Sequence, residues 1–248
     1  MLFPLLALLA TVGLTAVLCG SARYLGHQIL GPILAGSVVT SIFIAGKLGE
    51  LSISGLPALA ITVSILIYSS TFLITDVISE LAGPRAAQRA VLGTALCYPL
   101  VLLTSQLSVA WTPSALFEGQ AAFEEVMTFA GRVTIASLLS YLVSQTFDVW
   151  AFHYIKARTG EAKLWLRNNG STVVSQGIDT LIFYGIAFFG VIPFEALIQL
   201  TLLGYGLKIG IALFDTPFVY AVIWFVRRGD KSRKTLSSRR PGEVTSRW

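Results

Sequence analysis

Apolar residues run through this chain in long, nearly unbroken stretches, not in the short alternations or stripes of elements that border water. A helix needs about 20 mostly apolar residues to cross roughly 30 Å of hydrocarbon. Seven stretches qualify, at about residues 2–20, 32–48, 57–80, 90–110, 126–155, 168–192 and 194–226. Turn chemistry separates them at Gly31-Pro32, Ser54 to Pro57, Gly83-Pro84, Pro113, Gly160 and Pro193. The second stretch is short and is interrupted by Lys47. The last has 33 residues, about 50 Å as a straight helix, so it must tilt or bend near Gly204, Gly206, Gly210 or Pro217. The pattern predicts an all-α protein, a polytopic membrane bundle of six to seven transmembrane helices. Residues 1–226 form its one membrane domain and 227–248 a basic tail.

Composition sharpens this picture. Of 248 residues, 54% are apolar and only 12% charged, about half the charged share of a soluble domain. Mean hydropathy is +0.74. Disorder, a disulfide scaffold and a soluble nucleic-acid binder are excluded as the main class. Residues 227–248 hold eight Lys/Arg and two acids, leaving 10 basic and 11 acidic groups elsewhere. The tail therefore reads as an anchor beside anionic lipid rather than a nucleic-acid arm. Arg23, Arg85, Arg89, Lys156, Arg158, Lys163 and Arg167 fall in alternate connections. Glu50, Glu118, Glu124, Glu125 and Glu195 fall in the others, against Lys47 and Arg132. The positive-inside rule then predicts a cytoplasmic C-terminus and, with seven spans, an external N-terminus. No positive charge precedes the first apolar stretch, so it reads as a retained helix and not a cleaved signal. Cys19 and Cys97 lie at or inside apolar runs and imply neither a disulfide nor a metal site.

Six ionisable residues fall within or at the edges of spans: Asp76, Arg132, Asp148, Asp179, Lys208 and Asp215. At helix centres they would cost on the order of 15–20 kcal/mol together. Snorkelling relieves Arg132 near the outer interface and Asp76 near the inner one. The other four point to a functional cavity. Residues 140–148 and 171–179 share the pattern SxxVSQxxD. A Gln and an Asp three apart lie on one helix face, so Gln145 with Asp148, and Gln176 with Asp179, should face inward together. Counted from span ends, Asp148 lies about 10 Å deep, and Asp179 and Asp215 about 16 Å. Hydrogen bonding between helices, at about 0.6 kcal/mol per contact, accounts for the serines and one glutamine but not for three carboxylates. Lys208 sits between Gly206 and Gly210, and Asp215-Thr216-Pro217 interrupts a span. Such an interruption marks either a transporter's binding site or a simple kink. His27 and His153 have no metal-ligand spacing, and no HExxH, GxSxG, Walker or paired-Cys motif is present. Nothing implies an enzyme, a metal or a cofactor.

Thr75–Gln88 (TDVISELAGPRAAQ), Arg132–Phe152 (RVTIASLLSYLVSQTFDVWAF), Trp165–Phe188 (WLRNNGSTVVSQGIDTLIFYGIAF) and Lys208–Tyr220 (KIGIALFDTPFVY) resemble the queuosine precursor transporters, also called the vitamin uptake transporter family. The resemblance covers roughly residues 35–226. It implies import of 7-cyano- or 7-aminomethyl-7-deazaguanine across a bacterial inner membrane, for salvage into the tRNA base queuosine. A deazaguanine offers N–H donors that carboxylates and Gln carbonyls accept, and a flat face for aromatic rings. Asp148, Asp179, Gln145 and Gln176 are thus expected to read the base, with Lys208, Asp215, Asp76 and Arg132 as further binding candidates. Phe147, Phe183 and Tyr184 are candidates for stacking. Four aspartates against Arg132 and Lys208 leave a deficit that a cationic aminomethyl substrate or bound protons would relieve. The runner-up is a substrate-binding membrane subunit of an ATP-driven vitamin uptake system. A homodimer is left open.

Overall fold

The computed structural model describes residues 2–45, 47–51 and 59–238. Apolar runs become helices because backbone in lipid must satisfy each N–H and C=O within its own segment. In chain order the elements are α1 (Leu2–Gly20), the single turn α2 (Ala22–Leu25), a 3-10 turn (His27–Ile29) and α3 (Leu30–Ile44). The strands β1 (Leu48–Leu51) and β2 (Leu59–Thr62) follow, then α4 (Ile65–Ala82), α5 (Pro84–Ala95) and α6 (Cys97–Ala110). The chain continues as α7 (Gln120–Thr159), α8 (Leu164–Phe188) and α9 (Phe194–Ser238). This is the helical bundle of a multi-pass membrane protein. Among the described residues, Leu6–Leu25, His27–Ile44, Ile65–Ala82, Pro84–Ala110 and Phe194–Gly229 are long and apolar enough to cross a bilayer. α7 and α8 are also long enough, and both carry buried polar side chains.

Three boundaries differ from the hydropathy pattern. Residues 59–62, expected inside a span, form β2 and pair antiparallel with β1, from Leu48 opposite Thr62 to Leu51 opposite Leu59. The Val63 N–H extends this ladder to the Lys47 carbonyl at 3.0 Å. The β-branched run Ile61-Thr62-Val63 favours a strand over a helix. The fourth stretch divides at Leu96, because Pro99 has no N–H to give to the Ala95 carbonyl. α9 stays one helix through Pro217 and runs past residue 226 to Ser238. The Ser54–Pro57 turn and residues 239–248 of the tail lie outside the described residues. Gly83, at φ 84°, ends α4 in a backbone region that favours glycine, and Pro84 starts α5 at the position that tolerates a missing N–H.

α4 is the central helix and packs against α1, α3, α5, α7 and α9. Its two faces differ. Leu73, Ile74, Val77 and Ile78 enter an apolar core with Leu34 and Val38 of α3, Val91 of α5 and Val222 of α9. Around the other side run Thr71, Thr75, Asp76, Ser79 and Glu80, all buried. Leu100, Leu103, Leu107, Ile135, Leu139, Val143 and Leu181 point outward and are exposed. Polar-in and apolar-out reverses the amphipathicity of a surface helix in water.

One end of the bundle gathers the basic residues. Glu80 accepts hydrogen bonds from Arg167 at 2.9 Å, Lys156 at 3.1 Å and Arg227 at 2.6 Å, joining α4, α8, α7 and α9. Arg167 also donates to the Gly160 carbonyl at 3.1 Å, and its side chain is 1% exposed. Arg23 donates to the Phe225 carbonyl at 3.3 Å and lies 4.5 Å over the Phe225 ring, fastening α2 to α9 at this end. Glu80→Gln leaves the buried Arg167 charge with only the exposed Glu161, 3.8 Å away, as ionic partner and is expected to cost about 3 kcal/mol. Arg227→Gln, at a half-exposed position, should cost under about 1 kcal/mol. Thermal unfolding of the detergent-purified protein, with both variants side by side, checks the contrast.

Candidate transport site

α7 and α8 are consecutive helices separated by only residues 160–163 and pack along each other in opposite directions. Their shared sequence pattern becomes a reciprocal pair of bonds. Ser144 of α7 donates to Asp179 of α8 at 3.2 Å, and Ser175 of α8 donates to Asp148 of α7 at 2.7 Å. The second serine of each copy thus serves the aspartate of the other. All four side chains are buried.

The two aspartates lie on different levels. α7 runs on to Thr159 and α8 begins already at Leu164. Asp148 is therefore about 16 Å from its basic-end terminus and Asp179 about 22 Å, at 1.5 Å per residue. Each helix is about a turn longer there than its apolar stretch, so both carboxylates sit about 6 Å deeper than the spans alone put them and keep the same offset of about 6 Å.

At the level farther from the basic end, Asp179 is fully engaged. Its Oδ1 accepts from Tyr68 at 2.6 Å and its Oδ2 from Lys208 at 2.5 Å. The Lys208 ammonium also lies 5.3 Å from the Tyr68 ring centre. These three line a cavity with Ser41, Phe183 and Tyr184. Its volume is about 30 Å³, room for one or two waters. Small-molecule pockets are commonly at least about 300 Å³, so admitting a heterocycle requires the surrounding helices to separate. Tyr184 reaches this position because Gly204 has no side chain: a Cβ there would lie 2.8 Å from the Tyr184 hydroxyl. Tyr205 in turn lies against Gly177 and donates to the Val173 carbonyl at 3.1 Å. The two tyrosines interlock α8 with α9.

Nearer the basic end, Asp148 faces Asp76 of α4 and interacts with Asp215 of α9. Ser171 and Thr172 turn toward the same carboxylate. Between the levels, Gln145 donates to Thr71 at 3.1 Å and accepts from Thr75 at 2.8 Å, so both ends of its amide are held by α4. Gln176 is buried, and neither end of its amide has a hydrogen-bond partner. The Asp215-Thr216-Pro217 notch is tied to α8 through Thr216, which accepts from Asn169 at 2.9 Å. Phe147 is apart from both levels and packs on exposed Trp150 with ring centres 5.5 Å apart. The Arg132 side chain lies outside the described residues. The sequence pattern alone does not mark Tyr68, Thr71, Glu80 or Arg167 as parts of this polar network. Tyr68 and Thr71 do continue the polar face of α4 at helical spacing from Thr75 and Asp76.

Residues 62–222 match the family model described as "Putative vitamin uptake transporter". The chain belongs to this family. Among its curated relatives, the "Probable queuosine precursor transporter" of Bacillus subtilis (strain 168) is 33% identical over 176 residues, covering 70% of this chain and 76% of that protein. The "Queuosine precursor transporter" of Escherichia coli (strain K12) is 26% identical over 155 residues, covering 61% and 67%. No solved structure matches the chain significantly. The matched region of this vitamin uptake transporter runs from β2 to α9 and holds both aspartate levels. The family is one of transporters, not enzymes.

Gly204→Val is expected to force Tyr184 away from α9 and to destabilise the protein by about 1–3 kcal/mol. A Cβ at Gly206 meets nothing within 4 Å, so Gly206→Ala should leave stability within about 0.5 kcal/mol. Paired thermal unfolding curves in detergent test the difference.

Proposed function

We propose that this protein imports the queuosine precursors 7-cyano- and 7-aminomethyl-7-deazaguanine across a bacterial inner membrane, with its basic end and C-terminus in the cytoplasm. Family membership and the names of two relatives support the substrate class. Arg23, Lys156, Arg167 and Arg227 meeting at one end of the bundle support the orientation. The observation that carries the site reading is the cavity at Asp179, where a carboxylate, an ammonium and three aromatic rings border one space.

The chemistry of these groups suits a deazaguanine. The Asp179 carboxylate accepts the N–H donors of the pairing edge, and Lys208 donates to the ring carbonyl. Phe183 and Tyr184 cover the flat face. Gln176, one turn along α8 from Asp179, carries a free acceptor and a free donor for the same edge. In this reading the base exchanges places with protein partners that Asp179 already holds. Binding therefore loosens the Tyr68–Asp179–Lys208 contacts between α4, α8 and α9, and the ionic cluster at Glu80 closes the path to the cytoplasm until those helices shift.

Uptake of labelled 7-cyano-7-deazaguanine into proteoliposomes containing the purified chain tests the proposal. Asp179→Asn is expected to lower initial uptake at least about tenfold, and Phe147→Leu to leave it within about twofold. Unchanged uptake in Asp179→Asn relocates the site. A folded protein that takes up neither precursor overturns the substrate assignment.

A further inference from the structure

The two aspartates of the α7–α8 exchange each have one serine partner across the helix pair but opposite electrostatic surroundings. Asp179 faces a cation, Lys208. Asp148 faces Asp76 on α4 and Asp215 on α9, and no Lys, Arg or His forms an ion pair with any of these three among the described residues. α8 supplies only hydroxyls here, from Ser171, Thr172 and Ser175. The other charged group near Asp76 is Glu80, whose own cations are Arg167, Lys156 and Arg227. Three carboxylates at 0–3% exposure cannot all remain charged in such surroundings.

The polar atoms that face this group are also unspent. Asp76 Oδ1 and Asp148 Oδ2 have no hydrogen-bond partner, and the Thr172 side chain, 2% exposed, is turned toward Asp148. Fully buried polar atoms are seldom left unmatched in a finished structure. A hydrogen on one carboxyl of the Asp76–Asp148 pair supplies the missing donor and removes one of the facing charges. It does for Asp148 what Lys208 does for Asp179.

We propose that Asp76, Asp148 and Asp215 form a proton-binding site separate from the cavity at Asp179, and that proton loading there is coupled to import. The proton enters with the substrate from the outer side and leaves to the cytoplasm when the Glu80 cluster opens, so each cycle moves one substrate and one proton inward. This rests on the reading of the chain as an importer of deazaguanines.

The test uses the purified full chain in liposomes with pyranine trapped inside, the neutral 7-cyano-7-deazaguanine as substrate and the membrane potential clamped. Unlabelled substrate loaded inside first establishes counterflow, which reports transport without a gradient. With an alkaline interior, one pH unit is expected to support about tenfold accumulation for one-to-one coupling, and pyranine should report acidification on adding substrate. Asp76→Asn should lose the gradient response, with counterflow still measurable. Counterflow with neither accumulation nor a dye response overturns the proton site and leaves the import reading intact. Accumulation that follows a sodium gradient instead also overturns it. Absence of counterflow for both precursors overturns the import reading and this inference together.

Discussion

A charge can stay inside lipid only if another group in the same protein answers it. That constraint organises this bundle around α4. Its polar face meets Asp179 and Lys208 through Tyr68, Gln145 through Thr71 and Thr75, Asp148 at Asp76, and three cations through Glu80. These contacts span 13 residues from Tyr68 to Glu80, about 18 Å of helix, more than half the thickness of a bilayer core. The apolar face of α4 meanwhile joins α1, α3 and α5 in ordinary close packing. One helix therefore turns an apolar face to one set of neighbours and a polar face to another.

On the polar side, symmetry and its breaking are both informative. The Ser144–Asp179 and Ser175–Asp148 bonds relate α7 and α8 by an approximate two-fold exchange. Everything around that exchange is unequal. One aspartate has a lysine and the other has carboxyls; one glutamine is clamped at both ends and the other at neither. A frame that is symmetric in its internal bonds but asymmetric in its neighbours is suited to two arrangements of similar energy, as alternating access demands.

Much of this was legible in the sequence. The helical bundle follows from apolar run lengths, and the repeated SxxVSQxxD pattern marks the two helices that exchange hydrogen bonds. Depth was less legible, because polar flanks hide where a helix really ends: Lys156, Arg158 and Arg167 read as connection, yet all three are helical. Arg167 looked like a loop charge that sets orientation and is instead a buried partner of Glu80. No local spacing announces a bond between residues 87 positions apart. The β1–β2 hairpin was hidden for a different reason, since Ile61 and Val63 score as apolar in a span and as β-branched in a strand. Tyr68 carries no sequence signal of its own, since a lone aromatic in a span is ordinarily a lipid or core contact; its bond to Asp179 exists only because α4 is set beside α8 and α9.

The smallness of the space at Asp179 carries a thermodynamic corollary. If a guest enters only after helices part, its measured dissociation constant is the intrinsic one divided by the fraction of molecules already parted. Each tenfold rarity of that open form weakens apparent affinity tenfold, or about 1.4 kcal/mol. A modest affinity for this protein would thus be compatible with a closely complementary recognition surface. Substitutions that merely loosen the Tyr68–Asp179–Lys208 knot would then tighten binding while removing contacts.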